Sequence, residues 1–243
     1  MKTALLLLFV TFSAFAAPPG PPPIAEEHRW LYELLFTPED RAAQPDESFK
    51  SFYPHFMDSY AKYPHPNDIR AEKLAFQERI TGTMVYAVVV KKTYTYDILK
   101  AEDGTWVINV RIHLKNPVGD DIKNFSETVN GAEKIWNEAR LPFDFKYAFK
   151  FDVVENEADS LYSVNVLDST RGPYDRQWGR NWSSTTIAHE LGHMMGLADE
   201  YQTVSGKVDC LRSSLMCVSS SGKIQPHHFY FILRRFVNSV ELR

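Results

Sequence analysis

At 243 residues, 44% of them apolar and 24% charged, the chain has the composition of a globular protein with room for one large domain or a medium domain and an extension. A net charge of −4 gives no pointer to nucleic acid or an anionic membrane surface as a partner.

Met1-Lys2-Thr3 precedes an apolar run from Ala4 to Ala17, too short to span a bilayer. Ala14 and Ala16 form an A-x-A site, which predicts a signal peptide over 1–16 and an exported protein, secreted or periplasmic, with no membrane attachment after cleavage. Residues 17–80 read as a Pro-rich linker (Pro18 to Pro23) and a helical N-terminal region, a propeptide or a cap. Within it Trp30, Leu31, Leu34 and Leu35 form a helical stripe, and Ile69 to Ile80 is expected to be a further helix. His28, His55 and His65 read as surface or packing residues rather than ligands.

From Thr81 the periodicity changes to two. Met84 to Val90 is a continuous apolar run, expected as one buried strand. Thr93 to Leu99 and Thr105 to Leu114 flank Asp103-Gly104, a hairpin signal, and put Trp106, Ile108, Val110, Ile112 and Leu114 on one face. Asp120 or Asp121 is expected to cap a helix to about Ala139, with Ile122, Phe125, Val129, Ala132 and Trp136 in its buried stripe. Phe143 to Val154 alternates as a half-buried strand, and its aromatic stripe is core rather than a cofactor site. A turn over 155–160 leads into a strand from Leu161 to Leu167. Residues 169–183 read as a loop whose Tyr174, Arg176, Trp178, Arg180 and Trp182 are either substrate contacts or packing.

Ser183 or Ser184 can cap a helix over about 185–197 that carries His189-Glu190-Leu191-Gly192-His193-Met194-Met195-Gly196-Leu197-Ala198-Asp199. On a helix, His189 and His193 share one face and can close on one metal ion. Glu190 can reach a water on that ion, Gly196 can take positive φ and turn the chain back, and Asp199 can supply a third ligand. Three ligands with an open fourth position is the arrangement of a catalytic zinc. An H-E-x-x-H arises by chance in a chain of this length about once in a hundred sequences or more rarely. Cys210 and Cys217, in the loop that follows, read as a disulfide in an exported chain, with two thiols or metal ligands as the alternative. Pro226 opens a last helix, with His227-His228 at its start as either solvated residues or an accessory metal pair.

His189-Glu190-x-x-His193-x-x-Gly196-x-x-Asp199, followed by Met216 in a tight loop before a C-terminal helix, resembles the metzincin zinc metalloproteases. Asp as third ligand resembles the snapalysin-type branch. The motifs cover about 185–216 and the order of elements about 105–240. The resemblance implies an α+β fold, with a mixed twisted sheet packed on the active-site helix and a preceding helix, and a C-terminal helix after a Met-turn. Residues 81–243 would then be a zinc metalloprotease catalytic domain holding one catalytic Zn²⁺ and acting on a protein or peptide substrate. Glu190 would be the general base, Met216 the hydrophobic floor of the site, and the cysteine bridge a pin for the methionine loop. The extra negative charge of Asp199 makes a bound water less acidic and the Glu190 base more necessary. Cys217 and Val218 stand where some members place a tyrosine after the turn methionine, so Tyr201 becomes the candidate for oxyanion support. Two rivals share the ligand set: a zinc amidase or peptidase acting on cell-wall peptides, and a non-catalytic binding protein that retains the fold.

Overall fold

The computed structural model describes residues 77–86, 90–139, 145–168, 176–197, 199 and 214–233. The expected signal peptide, the Pro-rich linker and the N-terminal helices up to residue 76 lie outside them.

Strict alternation makes the central strand. β3 (Trp106–Lys115) buries Trp106, Ile108, Val110, Ile112 and Leu114 and turns Val107, Arg111, His113 and Lys115 to the other face. It takes part in three pairings. β4 (Tyr147–Val154) runs parallel along residues 106–113, β2 (Val90–Lys100) antiparallel along 106–109, and β5 (Tyr162–Leu167) parallel along 112–115. A strand has two edges and β4 occupies one, so β2 and β5 share the other, β2 leaving at Asn109 and β5 taking over from Ile112. β1 (Gln77–Tyr86) and β6 (Gln177–Gly179) complete a six-stranded mixed sheet, β1 antiparallel to β2 and β6 parallel to β5. With three α-helices among the described residues, α1 (Asp121–Glu138), α2 (Ser184–Met194) and α3 (Pro226–Leu233), the class is α+β with a mixed sheet. None of the described helices is long and apolar enough to cross a membrane.

The Asp103-Gly104 turn forms as expected, with Gly104 at φ 82° and Asp103 accepting from the Thr105 amide at 2.9 Å. Several expectations are corrected. Met84 to Val90 is not one strand but the end of β1 and the first residue of β2, which meet at Tyr86 opposite Val90. An unbroken apolar run carries no sign of where a hairpin turns back. Residues 77–80 are strand rather than helix, so the expected boundary after residue 80 falls inside β1. The loop expected over 169–183 contains β6, and Trp178 is fully buried with its ring 5.9 Å from that of Phe125. Arg180 is held by Asp121 at 2.9 Å and by Asp168. Neither residue is a free substrate contact. Ile122 is 48% exposed instead of sharing the stripe of Phe125, Val129, Ala132 and Trp136.

Neither candidate acid caps α1 with its side chain. Asp120 occupies the cap position without a side-chain bond, while the Asp121 carboxylate accepts from Arg180 and from the Val118 amide at 2.7 Å. Those two bonds hold the Asp121 carboxyl below the usual carboxylate range.

α1 lies along β4, and its polar side chains complete that strand's outer edge. Asn137 accepts from the Phe149 amide at 3.0 Å and donates to the Phe149 carbonyl at 2.9 Å, and Glu133 accepts from the Phe151 amide at 2.8 Å. Edge N–H and C=O groups that would otherwise invite another strand are thereby satisfied. One residue from Asn137, Trp136 donates its indole N–H to the Ala188 carbonyl of α2 at 3.0 Å, so the same helix fixes both the sheet edge and the helix carrying the motif. Asn137→Ala should leave two backbone groups of β4 without their partner and lower unfolding stability by about 1–3 kcal/mol, read from urea denaturation.

Candidate metal centre

Ser183 caps α2, its hydroxyl accepting from the Thr186 amide at 3.3 Å. The helix is almost wholly buried from Ile187 to Met194 and ends at Met194, three residues before the expected terminus. Gly196 ends it. At φ 94° it allows the Leu197 amide to donate to the Gly192 carbonyl and the Gly196 amide to donate to the His193 carbonyl, each at 3.0 Å. This is a Schellman closure, and a Cβ at Gly196 would also meet the Tyr94 ring of β2 at 3.0 Å.

The reversal has a chemical consequence. It returns the Leu197 carbonyl to the His193 ring, 2.8 Å from Nδ1, and it brings Asp199 back beside both histidines. His189 Nδ1 lies 2.8 Å from the Leu215 carbonyl. A carbonyl oxygen only accepts, so each Nδ1 carries the proton and each neutral ring keeps a lone pair on Nε2. Those two Nε2 atoms are 3.1 Å apart, and Asp199 Oδ1 is 3.3 Å from each. Two imidazole nitrogens and a carboxylate oxygen about 2.0–2.2 Å from a tetrahedral zinc would lie about 3.3–3.6 Å from one another, so the donor triangle fits that ion to within a few tenths of an ångström.

The electrostatics favour a cation there. The Asp199, His189 and His193 side chains are all 3% exposed or less. Burial alone would push the His193 pKa down. The Asp199 hydrogen bond and charge, the Glu190 charge and the Leu197 carbonyl outweigh it, and the net pKa is raised. Glu190 is buried on the same helix, at 2% exposure.

Met216, fully buried, lies against α2 at Gly192, between His189 and His193 in the sequence. A Cβ at Gly192 would sit 2.6 Å from Met216 Sδ and 3.3 Å from its Cε. The H-E-x-x-H spacing leaves this position open, and the packing demands the smallest residue there. A glance at sequence could not show this, nor the Leu215 and Leu197 carbonyls, since backbone groups carry no residue signature.

Among the described residues, His189, His193 and Asp199 are the group brought together with metal-ligand spacing. Tyr201 and Cys210 lie outside the described residues. Cys217 is half-buried and is not a free thiol. His228 is 1% exposed and hydrogen-bonded, which corrects the expectation of a solvated residue at the start of the last helix.

No family model, curated protein or solved structure matches this chain.

The Gly192–Met216 contact can be tested by a double-mutant cycle. Gly192→Ala should lower stability by about 1–3 kcal/mol through overpacking. In a Met216→Ala background, where the sulfur is gone, the added methyl should cost much less. Equal costs in both backgrounds would show that the two residues do not press on one another.

Proposed function

We propose that the protein is an exported zinc-dependent endopeptidase of metzincin type, with the sheet, α2, the methionine loop and α3 as its catalytic framework. The observation that carries this reading is the donor triangle, two Nε2 atoms and Asp199 Oδ1 at 3.1–3.3 Å, with both imidazoles oriented by backbone carbonyls. Imidazoles whose second nitrogen is held in this way are the usual form of a metal-ligating histidine. His189, His193 and Asp199 would hold the ion.

A bound zinc supplies polarisation of the scissile carbonyl and a water made acidic enough to attack it. Glu190 is the base. Its carboxylate, on the turn that carries His189, takes the proton from the attacking water and delivers it to the amine nitrogen that leaves. With each Nδ1–H on a backbone carbonyl, the Nε2 lone pairs of His189 and His193 face the site, where a bound ion would occupy them and leave the proton to Glu190. Met216 forms an apolar floor without binding the ion, a role supported by its packing on Gly192. A Cys210–Cys217 bridge would tether the loop bearing that methionine, consistent with the absence of a free thiol at Cys217. Tyr201 remains the candidate for oxyanion support.

Casein hydrolysis by the purified protein should disappear with a chelator and return with zinc. Cleavage of purified wall peptides with casein left intact would redirect the assignment to a cell-wall peptidase. Glu190→Gln should retain zinc by elemental analysis and lose about 10²–10⁴-fold in peptide hydrolysis. A variant as active as the wild type would remove Glu190 from the mechanism. Asp199→Ala should purify with substoichiometric zinc, and unchanged occupancy would move the third ligand elsewhere.

A further inference from the structure

We propose that His228 is a positioning residue for the metal centre, aiming the His189 imidazole through Ser214 and the Leu215–Met216 peptide. The inference rests on the zinc reading of His189, His193 and Asp199.

His228 sits in the first turn of α3, buried, with Ser214 and one peptide group between it and the His189 ring. Its Nδ1 lies 3.0 Å from the Gln225 amide. An amide N–H only donates, so Nδ1 is bare and the neutral ring carries its proton on Nε2. That Nε2–H donates to Ser214 Oγ at 3.1 Å. The same oxygen accepts from the Met216 amide at 3.2 Å. The Met216 N–H belongs to the peptide whose carbonyl, on Leu215, accepts from His189 Nδ1 at 2.8 Å. In a trans peptide the C=O and N–H point in opposite directions, and no cis bond occurs among the described residues. Holding the N–H therefore sets the direction of the carbonyl. Leu215 is held at its own amide by the Lys223 carbonyl at 2.7 Å, so the unit cannot swing as a whole.

The chain of bonds runs from Gln225 through His228 and Ser214 to the peptide, and from the peptide to the metal-facing ring. Only a neutral histidine in this tautomer can accept at one end and donate at the other. Phenylalanine keeps the ring that packs near Trp136, at 6.4 Å between centroids, and loses both bonds. Glutamine can retain an N–H near the reach of Nε2.

These differences separate positioning from packing. The full chain is stripped of metal, and zinc affinity is measured by competition with a chromophoric chelator, alongside thermal unfolding of the apo form. Ser214→Ala and His228→Phe should each weaken zinc about 10-fold, the lower end of what losing an outer-shell partner of a metal-bound histidine costs. His228→Gln should lie closer to the wild type than His228→Phe does. Tyr96→Phe is the control. It removes another buried contact to α3, the Tyr96 hydroxyl to the Ile232 carbonyl at 3.1 Å, and should lower apo stability while leaving zinc affinity unchanged. Affinities of Ser214→Ala and His228→Phe within about twofold of wild type overturn the proposal, as does an equal loss in Tyr96→Phe. Should His228→Phe not fold, Ser214→Ala, which loses a single oxygen, decides alone. A wild-type chain that takes up no zinc removes the metal reading and this inference with it, an outcome distinct from tight wild-type binding with unaffected variants.

Discussion

The constraint on which the site depends is the reversal of the chain at Gly196. A helix can bring two histidines to one face unaided, because positions four apart lie one above the other. It cannot supply a third donor from the same direction, since its next residues point around the axis and away. The positive φ of Gly196 solves this within three residues, returning the Leu197 carbonyl to His193 and Asp199 to both Nε2 atoms. Any residue with a Cβ would meet a backbone strain there and the Tyr94 ring as well. The turn and the donor set are one device. What folds the loop also sets the tautomer of His193 and the charge around it.

That loop is held from outside the helix as well as from within. The Tyr162 hydroxyl on β5 donates to the Met194 carbonyl at 2.8 Å and accepts from the Thr95 amide of β2 at 2.5 Å. One hydroxyl thus joins two strands to the last residue of α2. The arrangement follows from the division of the β3 edge, where β2 departs after Asn109 and β5 enters at Ile112. Beyond its departure point β2 is free to carry Tyr94 and Thr95 over the helix terminus. Trp136 fixes the helix from its other side through Ala188. Two strands and one helix therefore hold a short helix whose own hydrogen bonds could not specify its position.

Much of this was legible in the residues because the physics was local. Alternation gave β3, β4 and β5 and their buried faces, and the Asp103-Gly104 pair gave the hairpin. Ser183, the two histidines and Gly196 marked the start, face and end of α2. The failures have a common origin in information that local pattern does not hold. The run from Met84 to Val90 is apolar throughout although its two ends belong to different strands, so periodicity alone could not split it. β6 is three residues long, too short to show a period, and sequence left its Trp178 open between substrate contact and packing because buried and cleft aromatics share one alphabet; packing is what the fold shows. Asp121 resembles a cap in sequence, but Arg180, fifty-nine residues away, supplies a stronger partner.

The histidines illustrate the same limit most sharply. His189 and His193 could be recognised because four-residue spacing is itself a geometric statement. His228 could not, since the groups that occupy it are a backbone amide three residues back and a serine hydroxyl fourteen residues back. Neither partner is visible as a motif, and a histidine at the start of a helix is most often solvated. Burial changes its meaning. A buried neutral imidazole has one donor and one acceptor, and leaving either unmet costs about 1–3 kcal/mol. Meeting both fixes its tautomer, and a ring with a fixed tautomer can transmit direction from one hydrogen bond to the next. His189 and His193 are held in this manner too, each with Nδ1 on a carbonyl and Nε2 turned to Asp199. The same rule of one donor and one acceptor thus governs His189, His193 and the ring behind them, and it links the Leu215–Met216 peptide and α3 to the His189 ring although neither supplies a donor to the triangle.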